Sequence, residues 1–368
     1  MKVLMVADSI CENGIGITVF RLYRSLVKNG IKCDVICYQD LEKCHNIKDE
    51  IENDGNHIYS IPSISQGPIK YIRNIKNICK TNRYDVIHIH TSLLIFLAAF
   101  AAKRAGVPVR IGHAHGAKFF NYPELVLKFL EPAGRFFNRK YCTNFVTCSQ
   151  VSALYTFGTE AVLIPNYLPK EEILGITEDT IAKLRAQMIK PGDVVFGYMG
   201  CLDGQKNVIF LPSVIAKLNQ IGLSSVLVLI GEGKMKDEIE NECKRLKCED
   251  NVLLLGKRDD CKALVQTFDY FISASKTEGM SLSMIEAQMA GKPCIVSSLI
   301  PDYSDLRIGL FKQIDGFNAK YWAGSIIESI NSNLHPIARE DAISMIECNG
   351  FDEDTIMNKL IQAYQERT

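Results

Sequence analysis

The sequence lacks any apolar run long enough to cross a membrane. The longest, residues 93–102, has ten residues, about half of what a transmembrane helix needs. We expect no secretory signal either, because the apolar residues 3–7 are followed at once by Asp8. We therefore expect a cytoplasmic protein, whose membrane contact would be peripheral and at the inner face of the cell membrane.

The sequence also has no excess of charge of either sign and no paired cysteine motif. Lys plus Arg and Asp plus Glu number 42 each among 368 residues, so nothing in the totals indicates nucleic-acid binding. The 13 cysteines contain no CxxC pair, and several fall in predicted strands and helices. This distribution favours reduced thiols in a cytosol.

Short β-branched runs alternate with helical patterns along the whole chain. Such alternation is typical of parallel sheets with crossover helices, and the length exceeds what one hydrophobic core usually supports. Two prolines in the segment 164–169 (IPNYLP) interrupt the pattern. We expect an α/β fold of two doubly wound, Rossmann-like domains facing across a cleft, over residues 1–166 and 167–350. A helix over 351–368 is predicted to cross back to the first domain.

Candidate functional residues follow the predicted strands. Strands are predicted at 3–7, 33–38, 86–90, 109–113 and 145–148, and then at 194–198, 226–230, 252–255, 270–274 and 294–296. Helices are predicted near 207–221, 235–247 and 281–290. Ligands of doubly wound sheets bind outside the carboxyl ends of the strands, so we expect the site there.

Two turns of the second half suit a phosphate group. Strand 194–198 leads into residues 200–207 (GCLDGQKN), where glycines and Lys206 precede a helix whose N-terminus attracts anions. The next strand ends in residues 231–233 (GEG), which let a ligand approach the backbone closely. Each turn alone is equally compatible with ordinary turn chemistry.

Residues 275–287 (SKTEGMSLSMIEA) carry the most informative motif. Glu278 lies in the predicted loop, and Glu286 follows with seven residues between them. Three amides open the helix after Glu278, those of Gly279, Met280 and Ser281. Helix N-terminal amides suit a pyrophosphate, and carboxylates accept hydrogen bonds from sugar hydroxyls. The alternative is that Glu286 is a helix carboxylate satisfied by a neighbour.

The order of these motifs resembles the retaining GT-B glycosyltransferases of the large family 4 group. The matching pieces are 164–166 (IPN), 200–207, 231–233, 252–256 (VLLLG), the E-x7-E segment 278–286 and 291–293 (GKP). The resemblance implies that Glu278 binds hydroxyls of the donor sugar, Glu286 the nucleotide ribose and Lys206 the diphosphate. Gly200, Gly231 and the three amides after Glu278 would line the same donor site.

The resemblance also implies the reaction. A sugar would pass from a nucleotide-sugar donor, with a UDP-sugar favoured, to a hydroxyl of a saccharide or lipid-linked acceptor in the synthesis of cell-surface polysaccharide or glycolipid. Retention implies front-side attack by the acceptor hydroxyl. No D-x-D motif stands in the loops that would hold a metal-bound diphosphate, so we expect neither a metal nor another cofactor.

One position departs from the family pattern. Relatives usually carry Arg directly after the glycine that Gly200 matches, and this chain has Cys201 there. The change removes a bidentate phosphate contact, which Lys257 or Arg258 would have to replace. It keeps a second interpretation open, a weakly active or inactive nucleotide-sugar-binding homologue. A third, an epimerase acting on its own nucleotide sugar, is disfavoured by the E-x7-E spacing.

The first half carries a glycine pair and two histidine pairs. Gly14 and Gly16 precede a helix predicted to begin near Thr18, which resembles the family's glycine loop for donor phosphate and acceptor. A glycine pair is also a weak dinucleotide signal, but the third glycine and an acidic partner are missing, which disfavours a dehydrogenase.

The histidine pairs have an HxH spacing, His88 with His90 and His113 with His115. Alternation places both members of a pair on one strand face, which can bind zinc, although no cysteine or carboxylate stands within either pair. In the resembling enzymes a histidine at the end of the corresponding strand reaches the donor sugar. This makes His115 the first and His113 the second catalytic candidate, while a structural role for His88 and His90 is equally open.

Residues 118–140 mix five phenylalanines and five basic residues with only two glutamates. Such a segment can lie on an anionic membrane surface and serve a lipid-linked acceptor. The alternative is a helix that packs its aromatic side chains into the first domain.

Overall fold

The computed structural model describes residues 1–10, 14–38, 41–91, 94–116 and 124–366. The chain divides into two compact units, Met1–Asn166 with Glu353–Thr368, and Tyr167–Asp352. Each unit is built on one parallel sheet covered by helices.

The first unit contains a seven-stranded sheet in the order β3-β2-β1-β4-β5-β6-β7. The strands are β1 (Lys2–Val6), β2 (Lys32–Cys37), β3 (Ile58–Ser60), β4 (Val86–Ile89), β5 (Val109–Ala114), β6 (Asn144–Thr147) and β7 (Val162–Leu163). The helices of residues 1–166 are α1 (Gly14–Lys28), α2 (His45–Asn53), α3 (Pro68–Asn82), α4 (Ile95–Ala105), α5 (Glu124–Tyr141) and α6 (Gln150–Phe157). Val3 pairs with Cys33 on one side and with Val86 on the other, so the order reverses between β1 and β4.

The second unit repeats this topology with six strands in the order β10-β9-β8-β11-β12-β13. The strands are β8 (Val194–Met199), β9 (Ser225–Ile230), β10 (Val252–Gly256), β11 (Tyr270–Ser273), β12 (Cys294–Ser297) and β13 (Phe311–Ile314). The helices are α7 (Glu171–Leu174), α8 (Glu178–Met188), α9 (Leu211–Gln220), α10 (Lys236–Leu246), α11 (Cys261–Gln266), α12 (Leu282–Met289), α13 (Ala319–Asn331) and α14 (Arg339–Cys348). The reversal lies between β8 and β11, the topological switch point at which such sheets bind ligands.

The core of the second unit lies on both faces of its sheet. All six residues of β9 are buried, and neighbouring residues of β8 alternate between two apolar clusters. Phe196 packs in the cluster that contains Trp322, whereas Val195 packs in the cluster that contains Phe268. A parallel strand covered on both faces has no polar side, which is why these strands appear in the sequence as unbroken apolar runs.

The last helix, α15 (Glu353–Gln365), belongs to the first unit. The side-chain amide of Asn144 on β6 donates to the carbonyl groups of Ala363 at 3.2 Å and Glu366 at 2.7 Å. Glu353 accepts a hydrogen bond from Ser25 and pairs with Lys28 on α1. The C-terminal end of α15 is therefore bound to the first sheet and its N-terminal end to α1.

Three short strands were not predicted, namely β3, β7 and β13. They are partly exposed or polar edge strands, so they lack the apolar run that marks the central ones. Helix α1 begins at Gly14 rather than near Thr18, which puts both glycines in its first turn. The helix predicted over 207–221 opens with a 3-10 turn at Val208–Phe210 before α9.

Eleven cysteines are present as thiols, as expected. Cys44 is disulfide-bonded, so the expectation of reduced thiols is wrong at this position. Among the helices of the described residues, none combines the length and the apolarity needed to span a membrane.

Candidate functional site

The loop after β8 is shaped by Asp203. Its Oδ1 accepts the backbone N–H groups of Gln205 at 3.0 Å and Lys206 at 2.9 Å. This is a local turn of the kind that Asp side chains stabilise. The turn sets Lys206 at the carboxyl edge of the sheet, just before the 3-10 turn that leads into α9.

Lys206 and Glu278 form an ion pair across the switch point of the second sheet. The Lys206 Nζ atom is 2.7 Å from both carboxylate oxygens of Glu278. The side chains are 23% and 9% exposed, so water screens the pair only in part. Ser275 Oγ donates to Glu278 Oε1 at 2.8 Å. The structure thus brings together the two residues that the sequence assigned to the diphosphate and to the donor sugar.

Other contacts fix the loops after β8 and β11 against each other. The Lys276 N–H donates to the Gln205 carbonyl at 2.9 Å, and Gln205 Nε2 donates to the Thr277 carbonyl at 3.4 Å. Tyr303 Oη, from the segment after β12, donates to the Glu278 carbonyl at 3.4 Å. Gln205 and Ser275 lie inside the predicted motifs, but sequence analysis did not name them as site residues. No sequence signal marks Tyr303.

Close packing explains the glycines after β8 and β9. A Cβ atom on Gly231 would lie 1.9 Å from the carbonyl oxygen of Gly200, and one on Gly233 would lie 2.2 Å from that of Leu202. The amides of Gly200 and Gly231 donate to the carbonyls of Ile230 at 3.0 Å and Gly256 at 2.9 Å. These glycines therefore have a packing role, and their predicted contact with a donor stays a prediction.

A cavity of about 320 Å³ lies beside these turns. Its walls include Leu202, Gly231, Glu232, Gly233, Leu254 and Gly256. These residues follow β8 and β9 or lie in the second half of β10, so the cavity lies at the carboxyl ends of three adjacent strands. Both its place and its volume are typical of small-molecule sites in α/β proteins.

Helix α12 begins directly after the Glu278 loop. Ser281 is its N-cap residue with extended backbone, Met280 is buried, and the Gly279 carbonyl accepts a hydrogen bond from Ser304 Oγ at 3.5 Å. Glu286 is the fifth residue of the helix and is 8% exposed. Burial raises the pKa of the Cys261 thiol, and the negative charge of Glu286 raises it further. The predicted roles of Glu286 and of the three amides stay predictions.

Arg258 does not take the place of the arginine that the family usually carries at the position of Cys201. Cys201 is exposed, and the Arg258 guanidinium makes two short contacts with the Asp260 carboxylate, at 2.8 and 2.6 Å. Arg258 would have to exchange this partner to reach a phosphate. Lys257 is exposed.

In the first unit, Gly14 is exposed and its carbonyl accepts a hydrogen bond from Thr18 Oγ1 at 2.9 Å. Gly16 is buried in the same turn. The predicted contact of this glycine pair with the donor stays a prediction.

Four side chains, His88, His90, His113 and His115, form a histidine ladder across β4 and β5. His88 Nε2 lies 3.1 Å from His113 Nδ1, and His90 Nδ1 lies 2.9 Å from His115 Nε2. The two hydrogen-bonded pairs have interplanar angles of 3° and 27°. Along each strand the ring centroids are 4.0 Å apart. The ladder therefore has two hydrogen-bonded rungs stacked on each other.

Burial keeps the ladder uncharged. Desolvation lowers the pKa of His88 to about 3 and that of His115 to about 4, and it lowers the pKa of His90 and His113 well below the usual value. Neighbouring imidazoles lower the pKa of His88, His90 and His113 further. His88, His90 and His113 are at most 1% exposed, whereas His115 is partly exposed.

The ladder ends in the C-terminal helix at Tyr364. The Tyr364 Oη atom is 2.8 Å from His88 Nδ1. Burial raises the pKa of Tyr364 well above its usual value, so the phenol keeps its proton. Sequence analysis missed this residue, because a tyrosine on a late amphipathic helix carries no signal of a contact with β4.

His88, His90 and His113 also offer one ring nitrogen each within 4.8 Å of one another, as metal ligands would. However, the rings of His88 and His113 are nearly parallel, at 3°, and their facing nitrogens are 3.1 Å apart, which is the distance of an N–H···N hydrogen bond. The described contacts are those of a hydrogen-bonded ladder, and the expected absence of a metal stays a prediction.

The fold is that of the GT-B class of glycosyltransferases. The chain is similar to HepE of Anabaena in complex with UDP, with a TM-score of 0.80 and 18% identity over 98% of this chain and 99% of that one. It is also similar to WaaG, a glycosyltransferase involved in lipopolysaccharide biosynthesis, with a TM-score of 0.69 and 14% identity over 99% and 98% of the two chains.

Sequence comparisons identify the family. The model of Glycosyltransferase Family 4 matches residues 12–157, and that of Glycosyl transferases group 1 matches residues 180–316. EpsF of Bacillus subtilis, which carries the name of a glycosyltransferase, is 29% identical over 100% of this chain and 97% of its own. The UDP-Gal:alpha-D-GlcNAc-diphosphoundecaprenol alpha-1,3-galactosyltransferase of Escherichia coli is 28% identical over 67% of each chain. The protein is a GT-B glycosyltransferase of the family 4 type.

Proposed function

We propose that this protein is a retaining, metal-independent glycosyltransferase that uses a UDP-sugar in the synthesis of cell-surface polysaccharide or glycolipid. The observation that carries the proposal is the Lys206–Glu278 pair, which lies at the switch point of the second sheet. Support for the donor comes from HepE, solved with UDP and with UDP-glucose. Support for a lipid-linked acceptor comes from the name of the Escherichia coli relative, a diphosphoundecaprenol galactosyltransferase.

In this proposal the ion pair serves both ends of the donor. An ammonium has three N–H groups, so Lys206 can keep its contact with Glu278 and still donate to a phosphate oxygen. Glu278 then accepts hydrogen bonds from hydroxyls of the sugar. Glu286 binds the ribose, and the N-terminus of α12 adds its amides and its dipole to the diphosphate site.

The chemical step requires one bond to break and one to form on the same face of the sugar. The bond from the anomeric carbon to the β-phosphate oxygen breaks while the acceptor oxygen attacks that carbon. The acceptor proton passes to the departing diphosphate. His115, kept neutral because burial lowers its pKa to about 4, donates a hydrogen bond to a sugar hydroxyl without adding charge beside the developing cation.

Metal independence follows from the charge that Lys206 supplies to the leaving group. Transfer should persist in excess EDTA, and complete loss of transfer on chelation, restored by a divalent cation, would refute this part. A matched pair of variants tests the role of the lysine. Lys206→Ala should abolish transfer. Lys217→Ala, which removes a lysine side chain that donates to Gln220 on α9, should leave transfer unchanged.

A second candidate function is nucleotide-sugar binding without turnover. Two observations motivate it. Cys201 stands where the family usually has an arginine, and the Arg258 guanidinium is already paired with the Asp260 carboxylate. Product analysis after incubation with UDP- and GDP-sugars and a saccharide acceptor separates the possibilities. A new glycoside supports transfer, an unchanged donor supports binding alone, and an epimerised sugar indicates an epimerase.

We also propose that α5 contacts an anionic membrane. Of the proposed segment, residues 118–123 and the side chains of 124–127 lie outside the description. Phe129 and Phe136 are 75% and 54% exposed. They are seven positions apart, about two helical turns, so they share a helix face. Lys128 and Lys140 are exposed beside them. Phe137 instead packs against Phe96 at 5.3 Å, so the aromatic residues are divided between surface and interior.

Liposome flotation tests the membrane contact. The protein should float with vesicles that contain anionic lipid and not with zwitterionic ones, and Phe129→Ser with Phe136→Ser should abolish flotation. Ile69→Ser on α3 is the matched control, because Ile69 is 74% exposed on another helix. Equal flotation of the double variant and the control would exclude α5 as the contact.

A further inference from the structure

We propose that His90, with the rung formed by His88, His113 and Tyr364, positions His115 by fixing the neutral tautomer that carries its hydrogen on Nδ1. The inference rests on the proposed function in one respect, that the ligand of His115 is the donor sugar. It assigns roles to His88, His90 and Tyr364, and it specifies which atom of His115 meets the ligand.

The first step is the exposure gradient of the ladder. His88, His90 and His113 are at most 1% exposed, and of the four ladder residues only His115 is partly exposed. A ligand can therefore meet the ladder at His115. Its Nε2 is 2.9 Å from His90 Nδ1, so Nδ1 is the ring nitrogen that remains for the ligand.

The second step is the direction of the hydrogen bond between His90 and His115. A neutral imidazole has one N–H and one lone pair. If His115 donated, the hydrogen of His90 would sit on Nε2, which is buried and has no hydrogen-bond partner among the described residues. If His90 donates, that buried atom carries only a lone pair. Because a buried N–H without an acceptor is rarer than an unsatisfied acceptor, His90 is the donor and His115 keeps its hydrogen on Nδ1.

The third step is the support that the other rung gives. Tyr364 Oη lies 2.8 Å from His88 Nδ1, and His88 Nε2 lies 3.1 Å from His113 Nδ1. Whichever way its hydrogens run, this rung fixes two rings whose centroids lie 4.0 Å from those of His90 and His115. Since Tyr364 lies on α15, the C-terminal helix contributes to the orientation of His115, which directly follows β5.

Nuclear magnetic resonance tests the tautomer without any substrate. In protein labelled with 15N-histidine, long-range 1H–15N correlations at pH 7.5 distinguish Nδ1–H, Nε2–H, charged and metal-bound rings. We expect His115, assigned by the loss of its signals in His115→Ala, to be neutral with its hydrogen on Nδ1. A hydrogen on Nε2, a charged ring, or metal-bound signals from His88, His90 and His113 with stoichiometric zinc would overturn the proposal.

Matched variants of His90 test the positioning. Asn keeps an amide N–H close to the place of Nδ1, whereas Leu keeps the bulk and loses the donor. His90→Leu should lower kcat on the order of 10²-fold, as misplacement of a reacting group does, with a mixed tautomer at His115. His90→Asn should restore most of kcat and the Nδ1–H signal. His57→Asn, at an exposed position of the same unit, should change neither.

The kinetic test separates a failure of the positioning role from a failure of the proposed function. An unchanged kcat in His90→Leu, while His115→Ala loses transfer, would contradict a positioning role. If His90→Leu does not fold, Tyr364→Phe gives the same test at the other rung. We expect a shifted tautomer balance at His113 and a reduced kcat. No change in either quantity would count against the proposal. If the wild-type protein transfers no sugar, the proposed function fails, while the tautomer of His115 still decides the ladder.

Discussion

At the scale of single residues, Lys206 and Glu278 have a structural role and a proposed role in donor binding. Their contact joins the loops after β8 and β11 through two 2.7 Å distances. In the absence of a donor the two charges satisfy each other, which avoids leaving a charge unpaired in a partly buried place. In the proposed function the same atoms would face a diphosphate and sugar hydroxyls, so we expect little rearrangement on binding.

Replacing Glu278 by Gln tests the sugar contact. The amide keeps the shape but loses the charge, and hydrogen bonds to a charged group contribute about 1.5–3 kcal/mol. We expect kcat/KM for the donor to fall about 10- to 100-fold in steady-state assays. Glu242→Gln is the control, because Glu242 pairs with the exposed Arg245 on α10. A Glu278→Gln protein as active as the control would remove Glu278 from the site.

Replacing Gly231 by Ala tests the packing of the two turns. The added Cβ would lie 1.9 Å from the Gly200 carbonyl at a φ of +133°. Backbone strain of this kind costs about 1–3 kcal/mol, so urea unfolding should show a loss of at least that size. Gly222→Ala has a positive φ of +95° but no atom within 4 Å of its Cβ, and it should cost less. Equal losses in the two variants would mean that the close approach is unimportant.

At the scale of elements, periodicity predicts the central strands well because burial on both faces leaves them wholly apolar. It fails at β3, β7 and β13, where partial exposure or polar residues remove the signal. The HxH spacing correctly puts each histidine pair on one strand face. It cannot show that the two pairs bond to each other or that Tyr364 joins them, since those contacts depend on strand order and on a residue 276 positions away.

The histidine ladder predicts a pH dependence of stability. Burial lowers the pKa values of these imidazoles from 6.5 to about 3 for His88 and about 4 for His115. Below pH 6.5 the unfolded chain therefore binds more protons than the folded one, and stability falls as the pH falls toward the folded-state values. Each such histidine should cost about 1.4 kcal/mol per pH unit.

Urea unfolding at pH 7.5, 6.0 and 5.0, followed by a probe in the first unit, measures this dependence. His88→Asn removes one ladder imidazole and should make the free energy of unfolding fall less steeply with pH. Equal slopes for the wild-type protein and His88→Asn would mean that His88 binds protons alike in the folded and the unfolded chain.

At the scale of the whole molecule, two units with the same strand order carry different sets of functional groups. The second unit presents a cation, a carboxylate and helix amides, which suit a nucleotide diphosphate and its sugars. The first presents neutral imidazoles and, on α5, an exposed aromatic and basic face. This division agrees with the proposed binding of the donor in the second unit. The sequence motifs that resemble the family already indicated donor binding in this half of the chain.

The most direct test of the account is the thermal stability of the protein with nucleoside diphosphates. UDP should raise the melting temperature, because a ligand that binds only the folded protein at a hundredfold excess over Kd stabilises it by about 2.7 kcal/mol. Glu286→Ala and Lys206→Ala should each abolish that rise, while Lys217→Ala should retain it. A rise undiminished in Glu286→Ala and Lys206→Ala, or no rise with any nucleoside diphosphate, would contradict donor binding at this site.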